Sequence, residues 1–126
     1  MKIAVQLLAL ALVLAGCQPH EPKGDANRGL VGTWVFQFIA PDGADTEITK
    51  VIGVGGHCIS YVTATLSNQV SKMEAQSRVE VKDGYYVETG TNGSQVLTNR
   101  FPIVRIDDRE LVLRNGDQED VFRRQR

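Results

Sequence analysis

The stretch "KMEAQSRVEVK" at residues 72–82 alternates without a break. Met73, Ala75, Ser77, Val79 and Val81 share one parity, while Lys72, Glu74, Gln76, Arg78, Glu80 and Lys82 share the other. Successive side chains of a strand point to opposite faces, so the pattern predicts a β-strand with one face buried and one in water. Met, Glu, Ala and Gln in the first half are good helix formers. The alternation and the runs on either side outweigh that propensity.

Working outward, turn signals recur at "PDG" 41–43, "GG" 55–56, "SNQ" 67–69, "DG" 83–84, "NG" 92–93, "DD" 107–108 and "NG" 115–116. Asp-Gly and Asn-Gly suit two-residue hairpins because both central residues tolerate positive φ. These seven breaks separate eight runs rich in Val, Ile, Thr and aromatics, spaced as in an antiparallel meander. "TWVFQFIA" places Trp34, Phe36, Phe38 and Ala40 on one face, and "ELVLRN" places Leu111 and Leu113 on one face. "VIGV", "HCISYVTATL" and "QVLTNRFPIVRI" carry apolar residues on both parities, which leaves their registers open. Pro102 removes a ladder donor and argues for a bulge or a sheet edge in the last of these. No run makes an amphipathic helix. The expected fold is all-β, an eight-stranded up-and-down meander that closes into a small barrel and so removes its exposed edges.

The first residues carry a different message. Lys2 precedes an apolar stretch from Ile3 to Leu14, too short to span a bilayer, which needs about 20 residues. Length, flanks and the small Ala15 and Gly16 suit a secretory signal. Leu14-Ala15-Gly16-Cys17 resembles the lipobox of bacterial lipoproteins. That resemblance implies cleavage before Cys17, lipid on its sulfur and acylation of its freed amine, and more than one chain gives stable anchoring. It further implies a cell-envelope address, in the outer membrane facing the periplasm, because Gln18 is not the aspartate associated with inner-membrane retention. The expected divisions are a signal peptide at 1–16, a lipidated tether at 17–28 and a barrel domain at 29–126. The tether, with Pro19, Pro22 and mixed charges, spans some 15–20 Å if it behaves as a flexible coil, and His20 within it is expected to be solvated. Loss of residues 1–16 leaves 15 acidic against 13 basic side chains, a net charge of −2. Export and that charge both argue against nucleic acid as a partner.

Gly32-Thr33-Trp34 resembles the Gly-x-Trp element that opens the first strand of lipocalin-like (calycin) barrels. The order of the final strands, "VEVKDGYYVETG" to "DQEDVFRR", is also similar to small bacterial secreted proteins of that type, over most of residues 29–124. The resemblance implies that Trp34 packs across the barrel floor under a basic side chain from late in the chain. Arg123 and Arg124 are the candidates, and parity does not choose between them. It also implies a small apolar or amphipathic ligand at the open end, with Trp34, Phe36, Phe38, Tyr61 and Phe101 as inward candidates.

Catalytic chemistry finds little footing. His57 and Cys58 are adjacent, and in a strand adjacent side chains point apart, so they do not form the dyad that nucleophilic catalysis needs. Cys58 is expected to behave as a small buried hydrophobe without a disulfide partner, since Cys17 carries lipid. Two isolated histidines without ligand spacing give no metal site, and "GVGG" lacks the following helix of a phosphate loop. Asp107 and Asp108 sit together in a turn, solvated. Arg123, Arg124 and Arg126 could touch anionic lipid phosphates, but an end strand with a solvated tip accounts for them as well. No cofactor is expected, and the chain is not expected to be an enzyme. Two functions remain: a lipid-anchored barrel that binds a small apolar or amphipathic ligand, or a filled barrel that contacts another envelope protein.

Overall fold

The computed structural model describes residues 27–126. The segments expected to be a signal peptide and, for the most part, a tether, with Cys17, lie outside those residues. Each of the seven breaks is a chain reversal between strands: β1 (Gly32–Ile39), β2 (Asp45–Ile52), β3 (His57–Leu66), β4 (Gln69–Lys82), β5 (Tyr85–Asn92), β6 (Gln95–Ile106), β7 (Glu110–Asn115) and β8 (Gln118–Gln125). Every strand pairs antiparallel with its sequence neighbour, and β1 pairs with β8 to close the barrel. Two of the two-residue turns, Ser67-Asn68 and Asp83-Gly84, have positive φ at both residues, 50° and 67° and then 54° and 81°, as a type I′ hairpin demands. The two Asn-Gly signals are displaced by one residue. Asn92 and Asn115 end strands, and Gly93 and Gly116 supply the first positive φ of the loops that follow.

The register fixes which side chains share the interior. Trp34 is opposite Lys50 and Lys50 opposite Ser60; Phe36 is opposite Ile48 and Ile48 opposite Val62. On the far wall Tyr86 is opposite Phe101, Glu88 opposite Asn99 and Gly90 opposite Leu97. In β6 a bulge between Ile103 and Arg105, just after Pro102, returns Ile106 to the inward side opposite Leu111. The disruption expected from the missing proline donor is therefore present there.

The core fills one end of the barrel. Trp34, Ile52, Cys58, Val79, Tyr86, Leu111, Leu113 and Phe122 form one cluster, closed from below by Leu30. Leu30 belongs to a single helical turn at 27–30. The Val81 amide donates to Asn27 Oδ1 at 2.7 Å, so the packed structure already includes the two residues that the sequence assigned to the end of the tether.

The other end is open. Pairing between β4 and β5 stops at Ser77 and Gly90, and residues 69–76 of β4 pair with β3 alone. The alternation of residues 72–82 thus holds as geometry but not as uniform burial. Val79 is buried and Ser77 and Val81 are half-buried, whereas Ala75 is exposed and Met73 is 63% exposed on the same inward parity.

Candidate functional site

The floor is built around Trp34, whose side chain is fully buried. Its indole Nε1 donates to the Leu30 carbonyl at 2.8 Å, so the helical turn satisfies the polar atom of the ring. The register places Arg124 directly opposite Trp34, and its guanidinium carbon lies 4.3 Å from the ring centroid. Arg124 also donates to the Val31 carbonyl at 2.6 Å and to the Gly29 carbonyl at 2.8 Å. One arginine therefore clamps the entering chain and caps the tryptophan. Gly32 makes room for it: its φ is +140°, and a Cβ there would come within 2.5 Å of an Arg124 terminal nitrogen. Of the two candidates only Arg124 faces inward. Arg123 pairs with Val35 on the outer parity, and its side chain is 78% exposed near Glu110.

Above the floor lies a polar cluster that spans the barrel. Lys50 on β2 reaches across to Glu88 on β5, with Nζ 2.8 and 3.0 Å from the two carboxylate oxygens. Lys50 donates its third proton to Ser60 Oγ at 3.1 Å. Glu88 also accepts from Ser77 Oγ at 2.7 Å and from the Tyr86 hydroxyl at 2.9 Å. Cys58 Sγ lies 3.8 Å from Ser60 Oγ at the edge of the cluster. Burial alone would push the Glu88 carboxyl up, but the Lys50 charge and the three donors outweigh it, and the carboxyl is held below its ordinary value. Tyr86 is driven the other way, well above the ordinary phenol range, by burial first and then by the Glu88 charge. The cluster is one ammonium and one carboxylate, mutually neutralised.

Apolar side chains stand above the cluster. Phe36 and Phe38 face inward, half-buried and stacked with centroids 5.1 Å apart, and Phe36 also meets Phe122 at 5.0 Å. Phe101 faces inward and packs against the core. Met73 on β4 and Leu97 on β6, both of inward parity, are 63% and 50% exposed and flank the gap where β4 and β5 no longer pair. A separate hollow of about 530 Å³ lies at the floor end, lined by Leu30, Val31, Ile52, Val54, Gly55 and Val79 among others. None of the polar-cluster residues lines it.

Four of the five inward candidates take the predicted face, and Tyr61 does not. It is opposite Thr49 and Glu74 on the outer parity and 43% exposed, whereas its neighbour Ser60 is buried. The run around it is apolar on both parities, and the β2 pairing decides the register. His57 is exposed and Cys58 fully buried, on opposite faces of β3. The sequence reading missed Lys50, Ser60, Ser77, Tyr86 and Glu88 as a group. A signal was present: Lys50 shares parity with Ile48 and Ile52, and Glu88 with Tyr86 and Gly90, so each is a charge on an inward face.

Neither a scan against protein-family models nor a search of curated proteins returns a match for this chain.

Proposed function

We propose that the chain is a lipid-anchored protein of the bacterial cell envelope, held at the outer membrane through Cys17, whose lipocalin-like barrel binds a small apolar or amphipathic molecule in its open end. The observation that carries this reading is the exposure of Met73 and Leu97 on the inward parity, above the half-buried pair Phe36 and Phe38. A barrel whose interior served only as a core would bury those side chains, because each exposed apolar group forgoes about 25 cal/mol per Å². Ligand sites are typically concave, mostly apolar and equipped with a few convergent polar groups, and the open end has that composition. The test is purification from the native host followed by mass spectrometry of a solvent extract. A single amphiphile at near-stoichiometric amount supports the reading, and an empty protein that takes up no added amphiphile refutes it.

A second reading, an interaction protein that contacts another envelope protein, draws on the unpaired edge of β4 at residues 69–76 and on exposed Val70. Free strand edges accept an added strand. Lys72→Pro, placed in that edge, should abolish such a contact and leave small-molecule binding intact.

A further inference from the structure

Given a ligand in the open end, the polar cluster beneath it limits what the ligand's head is. Lys50 and Glu88 are partly accessible, with 14% and 19% of their side chains exposed, whereas Ser60 and Tyr86 behind them are buried. Ser77, which donates to Glu88, forms the last β4–β5 pair before the gap. Asn99, opposite Glu88 on β6, is exposed on the inward parity. At the depth of the cluster the ligand-facing polar groups are therefore Lys50, Ser77, Glu88 and Asn99.

Their valences are largely spent. The three Lys50 protons go to Glu88, twice, and to Ser60. The four acceptor positions of the Glu88 carboxylate match two bonds from Lys50, one from Ser77 and one from Tyr86. What remains open to a ligand is the Ser77 oxygen as an acceptor and the Asn99 amide as donor and acceptor. A carboxylate or phosphate head entering here meets the Glu88 charge and must displace it from Lys50. An ammonium head meets Lys50 in the same way. Removing one member of a buried pair leaves the other uncompensated, so both charged heads are disfavoured.

We propose that the barrel selects a single-chain amphiphile with an uncharged head that both donates and accepts hydrogen bonds, an alcohol or a primary amide, seated against Ser77 and Asn99 beside the closed Lys50–Glu88 pair, with its chain along Phe36, Met73 and Leu97. This rests on the binding role proposed above. Three probes with one twelve-carbon chain separate the alternatives: dodecanol, dodecanoate and dodecylammonium, titrated below their aggregation limits against the full chain. Dodecanol should bind at least tenfold more tightly than either charged probe. In Glu88→Gln the lysine is left uncompensated, and dodecanoate should gain at least tenfold over its affinity for the wild type. Dodecanoate binding the wild type as tightly as dodecanol overturns the head assignment and leaves the binding role standing. Failure of all three probes to bind overturns the binding role itself. If Glu88→Gln does not fold, the order of the three probes on the wild type decides alone.

Discussion

Arg124 and Trp34 are opposite residues of β8 and β1, and the guanidinium stacks 4.3 Å above the indole where the barrel closes on itself. The closing seam is short, with residues 33–35 paired to 123–125, and this contact sits at its centre, with the Phe36–Phe122 contact beside it. Cation–π stacking contributes about 0.5–2 kcal/mol, and each charge-assisted hydrogen bond to the Gly29 and Val31 carbonyls about 1.5–3.

Arg124→Met should therefore destabilise the barrel by about 3 kcal/mol, whereas Arg123→Met on the outer face should change stability by less than ~0.5 kcal/mol. Denaturant unfolding of both variants checks the assignment. Equal losses would mean that Arg123 shares the seam.

Trp34→Ala should cost roughly 3–5 kcal/mol, the usual loss for a large buried aromatic. Gly32→Ala should also destabilise, by about 1–3 kcal/mol, since it combines a strained φ with a clash against Arg124. In the double variant Gly32→Ala/Arg124→Met the clash is gone, so the two losses should fall short of additive. Additive losses would show that the strain is in the backbone alone.

The Lys50–Glu88 pair predicts both a coupling and a pH dependence. Lys50→Met leaves Glu88 charged without its partner and should cost about 3 kcal/mol, and adding Glu88→Gln should recover part of that. Glu88 has its pKa lowered by folding, so its stabilising contribution is complete above the ordinary carboxylate value, near 4.3, and drains away as the pH falls below it. The thermal midpoint should drop from about pH 4 downward, less steeply in Glu88→Gln. Asp107, lowered by the backbone amides of Arg109 and Glu110, acts in the same window, which is why the comparison is between variant and wild type. Identical acid profiles would place Glu88 outside the stabilising network.

Much of this fold was legible in the chain because short turns and strict parity are local. The seven breaks, the alternation of residues 72–82 and the inward face of Trp34, Phe36 and Phe38 need no knowledge of distant partners. The choice of Arg124 over Arg123 was not legible, since it depends on the register between the first strand and the last. Tyr61 was misplaced for a related reason: with apolar residues on both parities, only pairing to β2 settles which face is inside. The polar cluster joins residues 38 positions apart, so parity marks Lys50 and Glu88 as inward charges but nothing local shows that they meet. Exposure of Met73 reflects the loss of β4–β5 pairing, and strand alternation carries no information about where a neighbour departs.

Cys58 is fully buried, with its sulfur 3.8 Å from Ser60 Oγ and His57 on the opposite face of β3. Iodoacetamide should label it slowly in the folded protein and fast after unfolding, because access and not an imidazole partner limits the reaction. Cys58→Arg should prevent folding by forcing a charge into the core. Rapid labelling of the folded protein that slows in His57→Ala would revive a catalytic reading.

The most direct test of an open, ligand-holding barrel end is the methyl signal of Met73. The chain contains two methionines, Met1 and Met73, so methyl-labelled protein gives a spectrum that is simple to assign. Titration with dodecanol should shift the Met73 methyl resonance and saturate near one equivalent, and Phe36→Ala should weaken the response. A Met73 methyl that stays in place, or that drifts without saturating as free methionine would, contradicts a binding site in the open end.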